Sequence, residues 1–156
     1  TNMCAMFDYL NFDTIDISKF DTSNVTDMSW MFHGSGFTKI ILGDNFDTSK
    51  VKNYDGMFQE LPQMEVLDVS VIKVQPGSRS DYTFGKCPKL KTIYVSKDTK
   101  FENSYTGSKM FENDVSLVGG TGENKTEFDS EQIGLSYAKI STEDSKGYFT
   151  DIDEKN

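Results

Sequence analysis

One histidine, two cysteines, one tryptophan and three prolines are all that the 156 residues contain of those types. The lone His33 has Asp27 and Ser35 close by in sequence, but nothing marks the orienting carboxylate, oxyanion hole and pocket that a hydrolytic triad needs. It reads instead as an exposed loop residue after Met31-Phe32. Cys4 and Cys87 cannot supply a zinc quartet, and no other residue set marks a metal or cofactor. No run approaches the roughly 18 apolar residues of a membrane-spanning helix, and the start at Thr1 is unlike a signal peptide. Basic side chains are also short: 16 against 25 acidic ones leave a formal charge of −9. Such a chain repels phosphate backbones and anionic headgroups, so nucleic acid and membrane surfaces are poor candidate partners. Asp44, Asp47, Glu123 and Asp129 match no EF-hand spacing and read as solvated turn residues. Asn24-Val25-Thr26 and Asn124-Lys125-Thr126 are formal glycosylation sequons, meaningful only in a eukaryotic secretory route.

What the chain does have is aromatic residues, twelve Phe and seven Tyr, and they are periodic. Met6-Phe7, Met31-Phe32, Met57-Phe58, Thr83-Phe84 and Met110-Phe111 follow one another at intervals of 25, 26, 26 and 27 residues. Downstream of each of the first four comes a strand-like triplet with alternate residues inward: Phe12-Ile15-Ile17, Phe37-Ile40-Leu42, Met64-Leu67-Val69 and Leu90-Ile93-Val95. A third block matches Phe20-Asp21-Thr22-Ser23-Asn24-Val25 to Phe46-Asp47-Thr48-Ser49-Lys50-Val51. Units of this length cannot bury an apolar face alone and must stack.

The expected fold is a repeat solenoid, a leucine-rich-repeat-like right-handed coil with a short parallel sheet on one face and short helical turns or loops on the back; the alternative is a β-helix with three strands per coil, distinguished by the absence of helical turns near Met28. The helical turns are expected from the spacing of Val25, Met28, Met31 and Phe32, with Ser23 or Asn24 as N-cap. Pro76-Gly77 marks an irregular back in unit three. The solenoid is expected over residues 1–118, with units at about 6–30, 31–56, 57–82 and 83–109 and a partial unit at 110–118. A C-terminal cap over 119–150 and a tail over 151–156 follow. Because Asn2–Phe7 aligns with Asp27–Phe32, the chain is expected to begin inside a repeat with further units ahead of it. Cys4 and Cys87 then lie three coils, or roughly 14 Å, apart, too far for a disulfide.

The stretch Phe20-Asp21-Thr22-Ser23-Asn24-Val25-Thr26-Asp27-Met28-Ser29-Trp30-Met31-Phe32 resembles the repeat of the BspA-type leucine-rich-repeat surface proteins of bacteria. Cys87, Leu90, Ile93, Val95 and Ser96 are similar to that family's next element, and the Val118-Gly119-Gly120-Thr121-Gly122, Tyr137-Ala138-Lys139-Ile140 and Gly147-Tyr148-Phe149-Thr150 stretches to its C-terminal end. The first two units are one residue short before the strand, and only one unit has the Cys. The resemblance implies display at the cell surface, or secretion, and adhesion to host or bacterial proteins.

Outward positions of the strands line up in two columns, Thr14, Lys39, Val66, Thr92 and Asp16, Ile41, Asp68, Tyr94. If the chain binds a protein or glycan, the expected face comprises Tyr94, Asp68, Ile41, Asp16, Lys39 and Thr92, with Tyr94 as anchor. A non-binding spacer in a larger surface protein is the alternative. An enzyme acting on envelope polymers lacks a catalytic constellation.

Overall fold

Phe7, Phe32, Phe58, Phe84 and Phe111, one from each unit, form a single file of rings in the computed structural model, which describes residues 1–155. Consecutive centroids lie 5.4 to 5.8 Å apart with planes inclined by no more than 16°. That is the offset stacking aromatic quadrupoles favour. Met31, Met57, Leu61, Phe37 and Met64 fill the same interior with no exposed surface.

The backbone repeats at the same interval. Met28, Trp30, Phe32 and Gly34 donate N–H bonds of 2.9–3.0 Å to the carbonyls of Asn53, Asp55, Met57 and Gln59 in the next unit. Isolated parallel bridges run Asn2–Asp27–Asn53–Arg79–Thr106. Two columns of left-handed residues recur with this spacing: Ala5, Trp30, Gly56, Tyr82 and Lys109, then Tyr9, Gly34, Glu60, Lys86 and Asn113. Five units, the short 110–118 one included, therefore share one turn conformation. The helical turns expected near Met28 are not there, the feature that distinguishes the alternative of a β-helix: Val25–Phe32 is turn and bridge, and the helices among the described residues are three-residue 3-10 turns. Alternate amides, those of Met28, Trp30 and Phe32, are given instead to the neighbouring unit, while those of Ser29 and Met31 bond back to Asp27 and Met28 within the turn.

On the opposite face lie β1 (Thr14–Asp16), β2 (Lys39–Ile41), β3 (Val66–Asp68) and β4 (Thr92–Val95). β1 pairs with β2 and β3 with β4, both in parallel, with Ile15 opposite Ile40 and Leu67 opposite Ile93. One continuous sheet was the expectation; the structure divides these four strands between two sheets. Ile17 N–H donates to the Ile41 carbonyl (3.0 Å) and Val69 N–H to that of Tyr94 (2.9 Å), yet no bond joins Leu42 to Asp68 among the described residues. The break falls where loop length changes. Phe12 follows Phe7, and Phe37 follows Phe32, by five positions, but Met64 follows Phe58, and Leu90 follows Phe84, by six. Like units pair, and the unlike neighbours β2 and β3 stay in contact without laddering.

Beyond Leu117 the chain turns back over the last ring. β5 (Val118–Gly119) pairs antiparallel with β6 (Thr126–Glu127), and β7 (Phe149–Asp151) adds in parallel to β4, Phe149 opposite Ile93. Tyr148 packs edge-on against Phe111 at 5.1 Å, and the Ile133 carbonyl accepts the Phe111 N–H. The boundary expected at 150 falls inside β7. Residues 151–155 are not a loose tail: Ile152–Glu154 forms a 3-10 turn, capped by the Asp151 side chain, and Lys155 reaches back to Asp68. Asn156, the end of the expected tail, lies outside the described residues. Cys4 is exposed, Cys87 is buried, and both are free thiols.

Candidate functional site

Burial along the strands runs inward at Ile40, Leu67 and Ile93 and outward on either side, as a period of two requires. Register then sets the outward neighbours: Thr14 beside Lys39, Asp16 beside Ile41, Val66 beside Thr92, Asp68 beside Tyr94. The two expected columns are present, each interrupted at the β2–β3 break.

At that break lies a cleft of ≈ 260 Å³ whose lining includes Lys39, Ile41, Asp44, Asp68, Ser70 and Lys155. The structure thus brings together Lys39, Ile41 and Asp68, with Tyr94 adjoining Asp68. Asp16 stands apart on β1, where its Oδ1 accepts the Ser18 N–H at 2.9 Å. Thr92 faces a different recess, with Lys91, Val118, Gly120 and Lys125.

The terminal residue of this group, Lys155, was not among the sequence candidates. Its ammonium donates to Asp68 Oδ2 at 2.8 Å and lies 5.3 Å from the Tyr94 ring centroid. Asp68 Oδ1 also accepts from the Ser70 N–H (3.1 Å) and hydroxyl (2.7 Å). Partial burial pushes the Asp68 carboxyl up, but the bonds from Lys155 and Ser70 outweigh it, and the net effect holds it below its ordinary value. The expected anchor, Tyr94, is therefore half-buried beneath a cation of its own chain. Lys155 carries no local signal: it is 87 positions from Asp68, in a segment without the repeat.

His33 departs most from expectation. It is buried, with Nδ1 2.8 Å from Asp8 Oδ1 and Nε2 3.6 Å from Glu60 Oε2. The Tyr9 and Trp30 rings meet it edge-on at 5.1 and 4.9 Å. Among the described residues no serine hydroxyl bonds to the His33 ring; Ser35 Oγ instead accepts from the Leu10 N–H and donates to the Phe7 carbonyl. Among the described residues no group of three or more His, Cys, Asp or Glu side chains is placed to hold a metal ion.

These features define a tandem-repeat protein whose units pair backbone to backbone and present aligned side chains on one face. The chain belongs to a family described as Mycoplasma protein of unknown function, DUF285, whose model matches residues 1–119. No curated protein and no solved structure matches it.

Proposed function

We propose that the chain is a leucine-rich-repeat-like solenoid of the BspA type, a cell-surface adhesion or protein-recognition module whose strand face binds a protein or glycan on host or bacterial surfaces. The supporting observation is the cleft lined by Lys39, Ile41 and Asp68, with Tyr94 paired beside Asp68 in the strand register. Side chains fixed by the backbone lose little freedom on binding, which lowers the ordering cost. The test is binding of Ile41→Asp, Tyr94→Ala and Lys52→Ala to a panel of matrix proteins and glycans, after each is shown to melt like the parent. Loss with the first two and not the third supports the reading. Normal binding by all three refutes the strand-face assignment.

A second reading is a structural spacer that binds nothing. It is favoured by Lys155, which occupies the carboxylate and the ring that a ligand would use.

A further inference from the structure

The cleft between β2 and β3 is filled at one end by a side chain of the chain itself. The Lys155 ammonium lies 2.8 Å from Asp68 Oδ2 and 5.3 Å from the Tyr94 ring centroid, so carboxylate and ring together make a seat for a cation. The seat also distinguishes between cations. Asp68 Oδ1 already accepts both the N–H and the hydroxyl of Ser70, at 3.1 and 2.7 Å, which uses its lone pairs and leaves Oδ2 alone to receive a ligand. The planar fork of a guanidinium is matched by a pair of carboxylate oxygens, whereas an ammonium is a point charge that a single oxygen satisfies. Lys155 arrives, moreover, on extended backbone, with φ −74° and ψ 112°.

The cleft does not stop at this seat. Asp44 and Val71 line both it and a second cleft of ≈ 300 Å³, whose lining includes Asp47, Lys73 and Gln75. The two form one groove along the junction of units two and three. With Lys155 set aside, its carboxylates, Asp44, Asp47 and Asp68, outnumber its cations, Lys39 and Lys73. An elongated groove of this balance, in a protein of formal charge −9, complements a basic extended segment.

From this we infer that the groove receives an extended, lysine-bearing segment of a partner protein, one lysine of which takes the place of Lys155 on Asp68 and Tyr94. The inference rests on the strand-face reading and narrows its ligand from protein or glycan to a basic protein. Lys155 then acts as a resident competitor, displaced by a ligand that makes further contacts along the groove.

The test measures fluorescence anisotropy of short labelled peptides of alternating serine and lysine, and of the same peptides with arginine or acetyl-lysine in place of lysine. The proteins are the parent, Lys155→Ala, and Lys155→Ala combined with Asp68→Asn or with Glu131→Gln, each shown to melt like Lys155→Ala alone. Glu131 is an exposed carboxylate in the cap, outside the groove. Lys155→Ala should bind the lysine peptide about tenfold or more tightly than the parent, whose seat is open for only a fraction of the time. Asp68→Asn should abolish that gain and Glu131→Gln should preserve it, with the arginine and acetyl-lysine peptides binding more weakly throughout. Equal losses from the two carboxylate changes would show that net charge alone attracts the peptide and would overturn the inference. Indifference to Lys155, or a preference for arginine, would overturn it as well. A partner that is lost with Tyr94→Ala but not competed by the lysine peptide would sink this inference and keep the strand-face reading, while a partner indifferent to both would sink the two together.

Discussion

His33 Nδ1 lies 2.8 Å from Oδ1 of Asp8, which occupies the same position one unit earlier, and the pair is roofed by Tyr9 and Trp30. A histidine read from sequence as an exposed loop residue, and hence removable for under about 0.5 kcal/mol, is instead part of the contact between units one and two. His33→Ala is expected to cost about 1–3 kcal/mol, from the lost hydrogen bond and the vacated aromatic cluster. Urea unfolding of His33→Ala, Asp8→Ala and the double variant measures the coupling directly. Additive single effects would show that the pair contributes nothing.

Position in the stack, more than residue type, should set the cost of core substitutions. Phe12 and Phe37 are equivalent in the repeat, but Phe12 is 64% exposed and Phe37 is at 0%. Phe37→Ala should cost about 3–5 kcal/mol and Leu67→Ala about 2–5, whereas Phe12→Ala should stay below about 1. Denaturant midpoints at matched slope test this ordering.

How far the sequence discloses this molecule varies from residue to residue. The ring file and the strand columns are legible because each depends only on a side chain recurring at the unit interval. The sheet break is legible in part: the extra residue between Phe58 and Met64 is visible, but its consequence, a ladder lost between β2 and β3, depends on how the two units pack. The helical reading of Val25, Met28, Met31 and Phe32 fails for an instructive reason. All four are buried, at 0–1% exposure, as on the inner face of a helix. A coil that encloses its core can bury the same spacing through turns, once its amides bond to neighbouring units. His33 and Lys155 escape local reading altogether, since their partners come from other units.

Asp114 supplies a pH-dependent prediction. Its Oδ1 accepts the Cys87 N–H at 2.8 Å, while Oδ2 is buried without a partner. Burial pushes this carboxyl well above the ordinary carboxylate range. Below the unfolded-state value both states are protonated and nothing is lost. As pH rises above about 4 the unfolded chain ionises first, so the folded state loses stability up to its own, higher value. Asp114→Asn keeps an acceptor for Cys87 and removes the titration. Its melting temperature relative to the parent should climb from pH 3 to pH 7; parallel pH profiles would show that Asp114 does not titrate abnormally.

Removing residues 119–156 takes away β7 and Tyr148, uncovering Ile93, Phe84 and Phe111, all at 0% exposure. The truncated chain should aggregate at temperatures where the parent is soluble, because the end of a stack needs an apolar cover. Light scattering during a thermal ramp distinguishes the two, and a truncation as soluble and heat-resistant as the parent would mean that 119–156 covers nothing of consequence.

A much smaller change separates the binding and spacer readings. Lys155→Ala leaves β7 in place and removes the cation from Asp68 and Tyr94. Both charged groups are substantially exposed, so the ion pair is expected to contribute no more than about 1 kcal/mol. The variant should therefore melt within a few degrees of the parent. Without Lys155 the Asp68 carboxyl moves up toward its ordinary value, and the stability it contributes above that value, lost as pH falls, shrinks accordingly. On the binding reading, a ligand for the strand face no longer has to displace an internal cation, and any positively charged group it carries finds Asp68 and the Tyr94 ring free. Affinity for the partner found with the parent chain should then rise, with the larger gain at low ionic strength. Screening Lys155→Ala and Lys155→Glu beside the parent is decisive in direction. Stronger binding by the alanine variant with Tyr94→Ala abolishing it locates the ligand at this face. Unchanged binding by both Lys155 variants, in proteins that melt alike, would place any ligand elsewhere and leave the strand face as part of a spacer.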